Sequence, residues 1–155
     1  MNYIKKGFTL IELLVVISII GILIGLSVFG LQGARVTSRD AKRKADLESI
    51  RSGIEIYKSD CNHYPIESGD PASVFGTSLM GDGVVCSNTN KYINEVPTDP
   101  TSPTLHYVYS SDGITYEVCA HLEQDPGNGT VTCGVTSDCG DGSAGTACNY
   151  KVTNP

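Results

Sequence analysis

From Phe8 to Leu31 the chain carries 24 residues with a single ionisable side chain, Glu12. That stretch exceeds the roughly 20 apolar residues a helix needs to span the hydrocarbon core of a bilayer. In lipid such a segment has to satisfy its own backbone N–H and C=O groups, which a helix does. A carboxylate at the bilayer centre costs at least ~2.5 to 3.5 kcal/mol, so Glu12 is expected to have a partner and a purpose. Before the run stands a short head, MNYIKKG, with Lys5 and Lys6. A secretory signal would have a shorter apolar stretch followed by an A-x-A-like cleavage site. Gln32-Gly33-Ala34-Arg35 offers none, so the segment is expected to stay in the protein. The plainest alternative is an ordinary single-pass anchor with a stray glutamate.

Of 155 residues, the anchor leaves about 95 to 120 for one small core, and no second domain is indicated. The helical pattern continues past the anchor without a breaker to about Asp60. Leu47, Ile50, Ile54 and Tyr57 recur at three and four residues and share one face, so this half of the helix needs something to cover it. Asp40 with Lys44, Lys42 with Asp46 and Glu48 with Arg51 are spaced for exposed ion pairs. Asp60-Cys61-Asn62, with Pro65 beyond, is the stop. The stretch from Ile66 to Asn90 is rich in Gly, Ser, Asp and Pro and reads as a long loop, with a helical turn near Val74 to Leu79. Leu105 to Tyr109 and Ile114 to Leu122 alternate around Ser110-Ser111-Asp112-Gly113, which predicts a hairpin. Ile114, Tyr116, Val118, Ala120 and Leu122 would cover the helix, and residues 130–133 and 150–152 would add short strands.

Six cysteines, Cys61, Cys86, Cys119, Cys133, Cys139 and Cys148, are an even number in a small head. That favours three disulfides among fifteen connectivities. Cys139 with Cys148 is the first choice, then Cys61 with Cys86 and Cys119 with Cys133. Zinc is disfavoured, because no C-x-x-C pair is present and His63, His106 and His121 are scattered. From Cys61 onward eleven Asp and Glu face only Lys91 and Lys151, a balance of −9. A head so acidic repels nucleic acid and anionic lipid. Arg35, Arg39, Lys42, Arg43 and Lys44 follow the anchor, and by the positive-inside count they would hold that side in the cytoplasm. The cysteines argue the reverse, since disulfides form outside the reducing cytosol.

Lys5-Lys6-Gly7 followed by Phe8-Thr9-Leu10-Ile11-Glu12-Leu13-Leu14-Val15-Val16 resembles the prepilin signal of type IV pilins and type II secretion pseudopilins. Asp46-Leu47, Ile50, Gly53-Ile54, Tyr57, Asp60 and Tyr64-Pro65 are similar to the helix and following turn of major pseudopilins, with Gly53 where alanine is usual. Tyr92-Ile93 and Val96 to Pro100 look like the segment entering their sheet. The resemblance implies an α+β fold: a long N-terminal helix, its first half in the membrane, packed on a small antiparallel sheet. Residues 1–7 would be the leader, 8–34 the membrane and assembly helix, and 35–155 an extracytoplasmic head, with helix to about 60, loop 61–100, and sheet and tail 101–155. It further implies cleavage after Gly7 by a prepilin peptidase and methylation of Phe8. Glu12 would neutralise the Phe8 ammonium of a neighbouring subunit.

Major pseudopilins hold calcium in a late loop. Asp125-Pro126-Gly127-Asn128 and Asp138-Cys139-Gly140-Asp141-Gly142-Ser143 place oxygen ligands in Gly-rich turns, making Asp138 and Asp141 the calcium candidates. The Trp-Gly-Asn element that normally follows Asp99-Pro100 is missing, so ordinary turn residues are the default there and no cofactor is expected. Asn128-Gly129-Thr130 fits a glycosylation acceptor only as a three-residue match. Gly21 and Gly25 have a spacing that permits close helix approach in lipid. No nucleophile and base pair, phosphate loop or metal triplet points to an enzyme.

The reading is therefore a structural subunit of a type IV pilus-like filament. It would sit in the cytoplasmic membrane as a single-pass protein with its N-terminus inside, then join an extracellular or periplasmic fibre. Its partners would be copies of itself or other pilins, the prepilin peptidase, membrane lipid, and an assembly platform with its ATPase. Within the family the alternative is a type II secretion pseudopilin, whose periplasmic fibre drives protein export. Outside it, the alternative is a membrane-anchored binding module.

Overall fold

The computed structural model describes residues 7–124, 129–140 and 146–155. By contacts the chain divides at Val36/Thr37 into an N-terminal unit and a C-terminal unit. One helix, α1 (Leu10–Cys61, 52 residues), contributes to both.

In the N-terminal unit the side chains of Leu10, Ile11, Leu13, Ile17, Ile22, Leu23, Ile24 and Leu26 are all exposed. α1 is long and apolar enough there to cross a membrane. It runs unbroken through Gly21, Gly25, Gly30 and Gly33, and a Cβ added at any of these would meet nothing within 4 Å. The fold of the single chain therefore does not require those glycines.

In the C-terminal unit α1 lies on a four-stranded antiparallel sheet, β1 (Ser68–Gly69), β4 (Val108–Ser111), β5 (Tyr116–Ala120) and β6 (Tyr150–Thr153), in the order β1-β4-β5-β6. A four-residue helix α2 (Pro71–Val74) follows β1, and β2 (Leu79–Met80) pairs with β3 (Lys91–Ile93) in a separate two-stranded sheet. The architecture is α+β, and the helical stripe does the covering. Leu47, Ile50, Ile54 and Tyr57 are buried against Tyr107, Tyr109, Tyr116, Val118, Ala120 and Val152. Burying side chains of this size contributes about 1.5 to 3 kcal/mol each. The buried tyrosines keep their hydroxyls satisfied: Tyr107 donates to Asp46 (2.8 Å), Tyr116 to Glu55 (2.9 Å) and Tyr109 to the Pro65 carbonyl (2.7 Å). At Gly53 the helix meets Ile93 so closely that any Cβ would overlap that side chain, with the Tyr92 carbonyl 3.1 Å away. Glycine is what lets β3 approach the helix.

α1 ends because Asn62 adopts the left-handed region (φ 62°), and its N–H donates to the Lys58 carbonyl at 2.9 Å. This is the helix stop that asparagine supplies most readily after glycine. The other face of the sheet is covered by cystines. Cys119 points away from the helix toward its cross-strand partner Val108, and with Cys133, Cys139 and Cys148 forms a second small core. The bonded pairs are Cys61–Cys86, Cys119–Cys133 and Cys139–Cys148.

Several expectations change. The hairpin strands start later than their alternation suggested. Ile114 is 74% exposed and outside the helix-facing set, because the Asp112 carboxylate accepts the N–H groups of Ile114 (2.9 Å) and Thr115 (2.7 Å). The resulting turn ends the alternation before Tyr116. Residues 61–100 are not one loop, since they hold β1, α2, β2 and β3, and the helical turn lies at Pro71–Val74, where Asp70 caps it. Residues 133–136 form a tight turn closed by a Cys133–Thr136 bridge, and the expected strand over 130–133 does not form.

Candidate functional site: the helix N-terminus and the cluster that seats the helix

Gly7 and Phe8 are exposed and precede the first turn of α1. Thr9 caps that turn. Its N–H and its hydroxyl donate to Glu12 Oε2 at 2.8 and 2.7 Å, and the Glu12 N–H approaches Thr9 Oγ1 at 3.3 Å. This reciprocal capping box satisfies donors that a helix start leaves open. The signal was present in the sequence as T-x-x-E before an apolar run, and it adds Thr9 to Gly7, Phe8 and Glu12. Both hydrogen bonds engage Oε2, so among the described residues Glu12 Oε1 accepts none. Phe8, Ile11, Val15 and Val16 line an apolar groove beside it. The groove carries one carboxylate oxygen free to receive a cation. Of the expected leader, residues 1–7, only Gly7 is among the described residues.

Further along α1, the basic segment is not a free cationic patch. Arg43 is fully buried. Its Nε donates to Asp99 (2.7 Å), Nη1 to Asp40 (2.8 Å) and Glu123 (2.7 Å), and Nη2 to Asp99 and Thr101 (3.2 Å each). Arg39 pairs with Glu123 as well. Asp40 also accepts the backbone N–H groups of Glu123 (2.9 Å) and Gln124 (2.8 Å). The cluster ties α1 to the Val96 to Pro100 segment and to the chain leaving β5. The hydrogen bond from Arg39 and those from Arg43 hold the Glu123 carboxyl down at about 2. Burial would raise the Asp99 carboxyl, but the hydrogen bonds from Arg43 and Thr101 outweigh it and keep it below the usual range. Of the expected exposed pairs, Glu48 and Arg51 stand 3.6 Å apart. Asp40 instead takes Arg43, Asp46 takes the Tyr107 hydroxyl, and Lys44 lies over the Tyr150 ring at 5.5 Å.

Of the calcium candidates, Asp138 is described and uses Oδ1 to accept the Gly140 N–H at 2.9 Å. Asp141 lies outside the described residues, as do Asp125 to Asn128. A grouping the sequence did not suggest is Cys61, Asp82 and Cys86, whose possible ligand atoms come within 4.8 Å of one another. No spacing rule connects residues 61, 82 and 86, so only the folded chain reveals it.

A capped, exposed apolar helix with a glutamate in its first turn, continuing into a helix seated on a small antiparallel sheet, defines a pilin-like subunit. Residues 4–28 match the prokaryotic N-terminal methylation motif. Curated relatives are type II secretion system core protein G. That of Escherichia coli is 32% identical over 96 residues, covering 62% of this chain and 66% of its own. That of Klebsiella pneumoniae is 34% identical over 97 residues, 62% of this chain and 69% of its own. That of Dickeya chrysanthemi is 27% identical over 151 residues, 90% and 95% of the two. The alignment thus spans just under two thirds of the length of the Escherichia coli relative. No solved structure matches. The chain belongs to the pilin and pseudopilin family that includes type II secretion core protein G.

Proposed function

We propose that the chain is a fibre-forming pseudopilin-type subunit. It is cut after Gly7, methylated at Phe8, held in the membrane by the first half of α1, and stacked through that helix into a filament. Assembly moves an apolar helix from lipid into contact with identical helices. Little hydrophobic driving force distinguishes the two environments, so register has to come from packing and charge. The observation that carries the reading is Glu12, seated by Thr9 through one oxygen and open at the other. A neighbour's Phe8 ammonium fits that open oxygen as a charge-assisted pair, and only a subunit at the matching axial step relieves both buried charges. Identical chains, the processing peptidase and an assembly machine driven from the cytoplasm are the partners this reading calls for. The core protein G relatives favour a fibre serving secretion. The cystine core on the outer face of the sheet favours a surface pilus as the second reading, because covalent staples suit a fibre under shear.

Glu12→Gln tests the mechanism. The amide keeps length and helicity, so insertion and cleavage are expected to persist, while fibre yield relative to the membrane pool falls sharply. Leaving the incoming ammonium without an anion costs ~3 to 5 kcal/mol. Normal fibres from the Gln variant would show that helix packing alone sets the register. A wild-type chain that binds ligand yet never polymerises would instead support the membrane-anchored binding module.

A further inference from the structure

After α1 the chain doubles back and brings residues 82–86 to the end of the helix, where the Cys61–Cys86 disulfide joins them. That bond closes the segment carrying β1, α2 and β2 back onto α1. Of the six cysteines Cys86 is the most exposed, at 7%, against 0% for its partner Cys61 and at most 1% for the other four. The charge beside this sulfur is negative. Asp82 Oδ1 lies 3.5 Å from Cys86 Sγ, and a carboxylate oxygen of Asp82 and the two sulfurs all fall within 4.8 Å of one another. Oδ1 also accepts the backbone N–H groups of Val84 (2.9 Å), Val85 (2.9 Å) and Cys86 (3.1 Å), while Oδ2 faces His63 Nε2 at 3.1 Å. Chiefly through the amides, these bonds hold the Asp82 carboxyl well below the usual range, so it is ionised at any pH where a thiolate forms. Cys61 Sγ stands 3.7 Å from the hydroxyl of Tyr92, which in turn donates to Asp60. No lysine or arginine is among the described contacts of either sulfur.

We infer that Cys86 Sγ is the sulfur at which the head is modified by small thiols, and that the Asp82 carboxylate selects among them, slowing anionic thiols and favouring those that carry a cation. The attacking form is the thiolate, and attack falls on the sulfur it can reach. It bonds to Cys86 Sγ, the Cys61–Cys86 bond breaks with its electron pair on Cys61 Sγ, and Cys61 takes a proton from solvent. The product is a mixed disulfide on Cys86. A second thiolate removes the added group as a symmetrical disulfide, and Cys86 is protonated in turn, so two thiols supply the two electrons. In the transition state both the incoming and the departing sulfur bear negative charge next to Asp82, and like charges side by side raise its energy. An ammonium group on the reagent offsets the repulsion by bringing a cation to the carboxylate. For an uncharged thiol the states before and after exchange are neutral, so Asp82 slows opening and closure alike and leaves the equilibrium nearly in place. The carboxylate is thus a kinetic guard on the most accessible staple of the head.

The test uses the oxidised full chain in non-denaturing detergent at about pH 8, where a useful fraction of each thiol is ionised. Three thiols are compared: 2-aminoethanethiol, 2-mercaptoethanol and 2-mercaptoethanesulfonate, each rate divided by that thiol's rate with an uncharged model disulfide. Peptide mass mapping should place the first adduct on Cys86, and the normalised rates should fall in the order cationic, uncharged, anionic. Asp82→Asn keeps an oxygen for the three amides and removes the charge. It should speed 2-mercaptoethanol at least about fivefold, the factor that two unit charges about 4 Å apart give even at the dielectric constant of water. The advantage should shrink at about 1 M salt, where the Debye length is about 3 Å. An uncharged phosphine, which attacks without bringing a negative charge, should open the bond at nearly the same rate in both proteins. The wild-type series decides the matter alone if the variant does not fold. A first adduct on another cysteine, or normalised rates independent of reagent charge, overturns the inference. So does an equal acceleration with the phosphine, which would mean a loosened loop and no effect of charge.

Discussion

Arg43→Met is the substitution from which the fold should suffer most for the smallest change in volume. Methionine fills much of the space but removes five donated hydrogen bonds, to Asp99, Asp40, Glu123 and Thr101. Asp40 keeps two backbone donors and Glu123 keeps Arg39, whereas Asp99 keeps only the Thr101 amide and hydroxyl. Asp99 is 4% exposed, so its charge is left buried without a cation. Breaking a buried pair from one side costs ~3 to 5 kcal/mol, a large share of the roughly 5 to 15 kcal/mol that holds a domain of this size. The melting temperature of the head should fall by roughly 10 to 20 °C. The sign of the pH dependence follows from the directions. In the wild type Asp99 and Glu123 have lowered folded-state pKa values, so their stabilisation is present at neutral pH. It is lost as pH falls from the ordinary carboxylate range toward about 2. In the variant, burial without the arginine raises the Asp99 carboxyl, and protonating it relieves the penalty. The gap between the two proteins should therefore be widest near pH 7 and narrow below about pH 4. Urea unfolding of the detergent-solubilised chain, followed by near-ultraviolet circular dichroism at pH 7 and pH 3, measures both. A gap under about 1 kcal/mol at pH 7, in the range of a surface pair, or one that does not change with pH, would refute the reasoning.

Gly53→Val should destabilise the head by about 1 to 3 kcal/mol, because the new side chain meets Ile93 and the Tyr92 carbonyl; the same urea titration reads it. Replacing Cys139 and Cys148 together by serine opens a ten-residue loop, for which the chain-entropy account gives a loss of about 2.7 kcal/mol. A thermal midpoint equal to wild type would show that the pair contributes nothing. A Cβ added at Gly21 meets nothing within 4 Å, so Gly21→Leu should leave the membrane pool at wild-type abundance. If Gly21 and Gly25 lie where helices approach closely, fibre yield should drop, and normal fibres would remove them from the assembly face.

What could be read in advance divides by the range of the interaction. Leu47, Ile50, Ile54 and Tyr57 announce their face through local periodicity, and burial of that face is the main event of the C-terminal unit. The turn at Asp112 was harder to place. Alternation continues through Ile114 in the sequence, while the Asp112 side chain ends it in the fold through hydrogen bonds that hydropathy does not register. Arg43 was taken for one of several basic residues after the anchor, because its partners Asp99 and Glu123 stand 56 and 80 residues away. Once these contacts are known, the conflict over the charge of this segment eases, since Arg43 is buried in the head and the partly exposed Arg39 is paired with Glu123. The pairing of His63 with Asp82, 3.1 Å apart, was invisible for the same reason: the two meet only after the chain turns at Asn62 and doubles back. The T-x-x-E box at Thr9 was, by contrast, fully local and open to a sequence reading.

The central claim is that the chain is processed as a prepilin-type subunit, and the intact mass of the protein recovered from membranes or sheared fibres tests it most directly. The account predicts a mature chain that begins at Phe8, carries one added methyl group on its amino terminus, and contains no free thiol. An intact Met1 start in a cell that possesses the peptidase, or a terminus created by cleavage after Ala34, would contradict it.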